Sequence, residues 1–201
     1  MAKTGPWGPW LLEILDPRGE FLRGQESGGQ FGEPGLIRAL LDRVGETNRF
    51  CFEVGASDGR FLSNTLALRD RGWSALLIEG DDKKLADLAG HASEKVHCVR
   101  QMVAGDDLDV LLARHGAPAD LDFGVIDVDG QDAWLWKRLV LHRPRVLMIE
   151  YSGHLSSKVP PEGARLGQAG LKEIVELGQS KGYRALVRTN VNALFVLEGL
   201  I

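Results

Sequence analysis

Cysteine is scarce in this chain, with Cys51 and Cys98 the only two among 201 residues. They show no C-x-x-C spacing, which excludes a zinc ribbon or a dithiol redox motif. Each stands in an apolar, strand-like run (Phe50-Cys51-Phe52 and Val96-His97-Cys98-Val99), where a buried free thiol is the expectation rather than a disulfide. No apolar run approaches the roughly 20 residues needed to span a bilayer. The opening MAKTGPWGPW lacks the charged-then-apolar layout of a secretory signal, so a cytoplasmic location is expected. Basic charge is not in excess either. Lys and Arg number 24 against 28 Asp and Glu, a formal net charge of −4 with the signs interspersed. That argues against a nucleic-acid or membrane surface, which needs clustered cations. Internal repeats and low-complexity tracts are missing as well.

What is present is the composition of an ordinary globular protein, 44% hydrophobic and 26% charged. The length suits one good core. Residues 1–30 are broken by Gly and Pro and read as an N-terminal arm, leaving 31–201 as the folded domain. From Leu36 to Val44 the apolar positions 36, 37, 40, 41 and 44 share one helical face. An alternating rhythm follows. Strands are expected at Phe50–Val54, Ser74–Ile78, Lys95–Val103, Leu121–Ile126 and Arg145–Ile149. Helices are expected at Phe61–Arg71, Asp81–His91, Asp107–His115, Gln131–Leu141 and 170–181, with closing strands near 183–189 and 192–198. Such alternation predicts right-handed βαβ units and an α/β fold with a mostly parallel seven-stranded sheet. The four-residue link Thr189–Asn192 is too short for a helical crossover, so the last two strands form an antiparallel hairpin.

In an open α/β sheet, ligands lie beyond the carboxyl ends of the strands. Four of the first five strands deliver an acid there: Glu53, Glu79, Asp127 and Glu150. One or two such acids could be helix caps, but four in line ask for a cationic or hydroxyl-rich ligand. S-adenosylmethionine fits, with positive ammonium and sulfonium groups and a ribose diol that a carboxylate can receive. Gly55 and Gly59 allow close backbone approach in the first loop. Glu79, 26 residues after Glu53, stands where an acid reaching a ribose belongs. A dinucleotide would want G-x-G-x-x-G, whereas Asp58 puts negative charge where its pyrophosphate would sit.

Several runs then carry a family resemblance. They are Gln30-Phe-Gly-Glu33-Pro-Gly35-Leu-Ile, Phe52-Glu53-Val-Gly55-Ala-Ser57-Asp58-Gly59, Ser63-Asn64-Thr65, Gly72-Trp73 and Leu77-Ile78-Glu79-Gly80-Asp81. Ile126-Asp127-Val-Asp129-Gly130-Gln-Asp132 and Arg143-Pro144-Arg145-Val146 through Glu150-Tyr151 complete the set. Over about residues 30–151 the chain resembles the FkbM-type branch of class I S-adenosylmethionine-dependent methyltransferases. The resemblance implies a Rossmann-like methyltransferase fold. It also implies that Glu53, Gly55, Asp58 and Gly59 surround the methionine part, Glu79 the ribose, and Met102 and Val103 the adenine. Ser57 stands where class I enzymes often have a second Gly, and it counts with Gly80 among the expected cofactor-binding residues. The segment after Tyr151 falls outside the resemblance, so the small-molecule acceptor is left open.

Transfer to oxygen needs in-line approach and a base, or a metal that lowers the hydroxyl's pKa. Asp127, Asp129 and Glu150 are the candidate carboxylates, with Asp127 also placed against the cofactor. Gly130 permits a turn that aims Asp127 and Asp129 at one rim, and Mg²⁺ is a hard cation such a set could hold. Asp132 reads better as a helix cap. His154 is a candidate general base in the polar loop that follows, and Gln30 and Glu33 are candidates for a lid over the cofactor or for a helix cap. Trp134 and Trp136 point to different faces of one helix by spacing. An O-methyltransferase acting on a sugar or natural-product intermediate is the reading. A non-catalytic cofactor-binding or regulatory domain and an NAD-dependent oxidoreductase are the alternatives.

Overall fold

A computed structural model describes residues 29–30, 32–104, 107–151 and 169–201. Most of the expected arm, the loop at 152–168 and His154 lie outside the described residues. The elements run α1 (Glu33–Val44), β1 (Phe50–Val54), α2 (Leu66–Asp70), β2 (Ser74–Glu79), α3 (Asp82–Ala89), β3 (Val96–Arg100) and α4 (Asp107–Arg114). They continue through β4 (Phe123–Ile126), α5 (Asp132–Arg138), β5 (Val146–Glu150), α6 (Leu171–Ser180), β6 (Tyr183–Arg188) and β7 (Asn192–Leu197). The seven strands form one sheet in the order β3-β2-β1-β4-β5-β7-β6. Pairings among the first five are parallel, whereas β7 is antiparallel to both β5 and β6. The expected α/β sheet with its antiparallel C-terminal hairpin is therefore present, and β7 is slotted inside the edge strand β6.

Parallel strands are buried on both faces, and each face here has its own core. On one side Cys51, Ala75, Leu77, Phe123, Val125, Val146, Met148, Leu194 and Val196 pack with Leu36, Ile37, Leu40 and Leu41 of α1 and Leu88 of α3. On the other, Phe52, Val54, Leu76, Ile78, Ile126, Leu147, Ile149 and Phe195 pack with α4, α5 and α6. Trp136 of α5 is fully buried against Tyr183 and Phe195, while Trp134 is half-buried beside Lys137 and Arg138.

Two helices are shorter than their apolar spacing predicts, and carboxylates that capture backbone N–H groups explain both. The expected helix over Phe61–Arg71 begins only at Leu66. Upstream, Asp58 Oδ1 accepts the N–H groups of Arg60 and Phe61 at 2.8 and 2.7 Å, holding them in a turn. Likewise α5 stops at Arg138, because buried Asp109 accepts the N–H groups of Val140, Leu141 and His142. His142 Nδ1 lies 2.8 Å from the same carboxylate. At the amino edge of the sheet, fully buried Asp122 accepts from Thr47 N–H and Oγ1–H, Asn48 N–H and Arg49 N–H at 2.6–3.0 Å. Arg145 Nε stands 3.4 Å away. Asp109 and Asp122 make structural bonds, and Asp122 lies at the opposite edge from the strand ends that carry the acidic rim.

Candidate functional site

Side chains alternate across a strand, so the parity of the core residues tells where each strand-end acid points. Cys51, Ala75 and Leu77, Phe123 and Val125, and Val146 and Met148 all belong to the α1-side core. Two residues on from these lie Glu53, Glu79, Asp127 and Glu150. Asp127 keeps strand geometry, since its N–H donates to Val54 O at 3.1 Å. All four acids therefore face the same side of the sheet at its carboxyl edge. Asn192 joins them: it is the register partner of Glu150, and its Nδ2 donates to Glu33 Oε1 of α1 at 3.4 Å.

The first loop is built around Gly55. Its φ is +81°, and an added Cβ would fall 1.7 Å from Asp127 O, so only glycine allows the β1 and β4 ends to meet this closely. Ser57 also adopts a left-handed φ of +53°. Its N–H is taken by Glu79 Oε2 at 2.7 Å, while Glu79 Oε1 takes Asp81 N–H at 2.8 Å. Glu79 thereby bridges the loops after β1 and β2, and each oxygen keeps a lone pair for a further donor. Met102 is exposed, and its thioether crowds Gly80 so closely that a Cβ there would lie 2.8 Å from Met102 Cε. Val103 is buried in the opposite core.

Glu53 is almost completely buried. Its Oε2 accepts from Ser63 Oγ at 2.7 Å and Thr65 Oγ1 at 2.6 Å, and its Oε1 accepts Asn64 N–H at 2.9 Å. The acid foreseen beside the methionine part thus braces the 63–65 segment under the rim. Asp58 is partly exposed, and its two backbone hydrogen bonds hold its carboxyl below the usual carboxylate range. Gly59 is buried against His91 and Leu88. Glu33 is wholly buried and also accepts Gln30 N–H at 2.7 Å, whereas Gln30 is exposed.

Asp127, Asp129 and Glu150 converge. One carboxylate oxygen from each lies within 4.8 Å of the others. Asp129 has φ +54°, so the turn before Gly130 swings its side chain round to Asp127. Asp132, buried at the start of α5, fixes that turn by accepting Val128 N–H at 2.7 Å and Gly130 N–H at 2.9 Å. Its own carboxyl is pushed up to about 6, chiefly by burial. Asp127 and Glu150 share a side-chain hydrogen bond, and both are pushed well above the carboxylate range, first by burial and then by each other's charge. Around neutral pH the pair holds a proton between two oxygens, a state able to receive another.

Sequence reasoning missed Asn192, and it counted Ser63, Asn64 and Thr65 among the runs that carry the resemblance without giving them a role. The two Asn carboxamide oxygens are buried and have no hydrogen-bond partner. Position was the only available signal for Asn192, which opens the strand inserted beside β5, and strand insertion is invisible in a linear reading.

No protein-family model matches the chain, and no curated protein matches it. Solved structures do match, and they define the fold as that of Rossmann-like class I methyltransferases. An O-methyltransferase from Bacillus cereus in complex with SAH is 16% identical, with a TM-score of 0.58 over 98% of this chain and 93% of that one. The N-terminal domain of EvdMO1 with SAH bound is 18% identical, with a TM-score of 0.52 over 90% of this chain and 83% of that one. The same domain, in the presence of SAH and D-fucose, gives 0.54 at 18% identity over 96% and 98%.

Proposed function

We propose that this chain is an S-adenosylmethionine-dependent methyltransferase that methylates a hydroxyl oxygen of a small molecule, within the FkbM-type branch. The observation that carries the reading is the set of four strand-end carboxylates on one face of the sheet, two of them sharing a proton. The cofactor supplies an electrophilic methyl group on a sulfonium. Glu79 receives the ribose diol on the lone pairs its two backbone bonds leave free. The Gly55–Gly59 loop meets the amino-acid end, and Met102 flanks the adenine. Gln30 closes over the cofactor from the α1 side, with its N–H held by Glu33.

On the other side of the methyl, the Asp127–Glu150 pair takes the acceptor's proton as its oxygen forms the new C–O bond and the S–C bond breaks. A carboxylate pair raised toward neutrality is matched to that task at cellular pH. The donor set is all oxygen, which fits a hard divalent cation such as Mg²⁺. Asp127, Asp129 and Glu150 would hold it, and it would lower the pKa of a hydroxyl bound there. The sugar or natural-product acceptor is supported by the O-methyltransferase neighbours and by D-fucose in the EvdMO1 crystals. The cytoplasm is supported by the two free thiols. Among the described residues no helix is long and apolar enough to cross a membrane.

Radiolabelled methyl transfer from S-adenosylmethionine to a panel of sugars and polyols, with Mg²⁺ or with EDTA, tests the reaction and the metal together. A thermal-shift comparison tests the cofactor: S-adenosylhomocysteine (SAH) should stabilise the protein and NAD should not. Stabilisation by NAD alone would overturn the assignment.

A further inference from the structure

We propose that Asn64 binds the α-ammonium group of the cofactor's amino-acid end through its carboxamide oxygen. The proposal rests on the methyltransferase reading above and adds to it a residue that neither the strand ends nor the glycine loop supplies.

Asn64 is 6% exposed, and its Oδ1 is buried with no hydrogen-bond partner. Buried polar atoms are almost always paired, and one left unpaired costs the folded chain free energy. The cost is tolerated where a ligand completes the bond. The orphan is held in place deliberately. Asn64 N–H is fixed on Glu53 Oε1 at 2.9 Å, and its neighbours Ser63 and Thr65 grip Glu53 Oε2. Three bonds to one buried carboxylate lock this segment against the carboxyl end of β1.

The chemistry of the orphan atom selects the donor. A carboxamide oxygen only accepts, so its partner must bring an N–H or O–H; the cofactor's carboxylate has none, and its ammonium has three. The nearby Arg69 guanidinium donates to Ser63 Oγ at 3.1 Å and leaves Asn64 Oδ1 without a partner. Order along the sheet edge gives the ligand's orientation. Glu79 on β2 takes the ribose, Asp127 and Glu150 on β4 and β5 take the reacting oxygen, and β1 lies between them. Strands are spaced about 4.8 Å apart, so the amino-acid end, leaving the sulfur that also bears the methyl, falls over β1. The primary ammonium is the cationic donor at that end.

Calorimetric titration with three probes tests this. SAH carries the ammonium and the carboxylate, decarboxylated SAH keeps only the ammonium, and methylthioadenosine has neither. Asn64→Ala leaves the backbone N–H on Glu53. It should weaken SAH and decarboxylated SAH alike, by roughly 10- to 100-fold, as expected for a hydrogen bond to a charged group. Methylthioadenosine should bind the variant and the wild type equally. Asn64→Asp, which keeps an acceptor oxygen, should retain SAH binding. The melting temperature of unliganded Asn64→Ala should not fall, because an unpaired atom has been removed.

An effect on SAH that disappears with the decarboxylated probe would assign Asn64 to the carboxylate and overturn the proposal. Equal losses for all three probes, with a lowered melting temperature, would show damage to the fold and overturn it too. If the variant binds SAH as wild type does, only the Asn64 assignment fails. If the wild type binds none of the three, the cofactor reading fails and takes Asn64 with it.

Discussion

Asp127→Asn should make the protein more stable at pH 8 while depriving it of turnover. The Asp127 and Glu150 carboxylate oxygens lie within 4.8 Å of each other. At an effective dielectric of about 20, two full charges at that distance repel by about 3.5 kcal/mol. Glu150 is partly exposed, and solvent screening reduces this to about 1–2 kcal/mol. The sign follows from the direction of the shifts. Both carboxyls are raised in the folded chain, so they hold protons there that the unfolded chain has released. Their contribution to stability is therefore largest below the ordinary carboxylate range and is lost as pH rises through the raised values toward alkaline pH. Asn at 127 removes the repulsion and can donate to Glu150. For a chain of this size, about 2–4 °C accompanies each kcal/mol. Asp127→Asn should then melt roughly 2–8 °C above wild type at pH 8 and close to it at pH 5, in EDTA to exclude cations. A variant that melts lower at pH 8, or whose difference from wild type does not depend on pH, would refute the shared-proton account.

In methyl-transfer assays the same substitution should lower turnover far more than SAH affinity; equal losses of both would move Asp127 into the cofactor shell. Glu79→Ala removes the acceptor of the ribose diol and frees Ser57 N–H and Asp81 N–H, so SAH affinity should fall by at least about 2 kcal/mol, roughly 30-fold. Unchanged affinity by calorimetry would show that the ribose lies elsewhere. Asp122→Ala leaves the donors of Thr47, Asn48 and Arg49 and the Arg145 guanidinium facing a void, and should cost about 3–5 kcal/mol in urea denaturation. A loss under 1 kcal/mol would contradict the role given to that carboxylate.

The strand ends were legible because parallel strands buried on both faces read as apolar runs, and Glu53, Glu79, Asp127 and Glu150 punctuate those runs. The hairpin was legible from the brevity of its link. The start of α2 was not, because Phe61 and Leu62 continue an apolar spacing while Asp58 turns the backbone just after it and Glu53, back on β1, captures Asn64 N–H. The end of α5 was hidden for the same reason, since Asp109 lies more than 30 residues upstream of the N–H groups it takes. Val103 reads as a rim residue from its place after β3, yet its side chain falls into the core beneath α4. Local pattern records burial well and records long-range carboxylate bridges hardly at all.

The meeting of Glu33 with Asn192 spans 159 positions of sequence. A chain emerging from the ribosome has made Asp127 and Glu150 long before residue 192, yet β5 then has an open flank where β7 belongs. The bond between Glu33 and Asn192 beside Glu150 exists only once that late strand has threaded between two earlier ones. Unfinished or prematurely released chains would carry every acid of the rim and still leave Glu150 without its neighbouring strand.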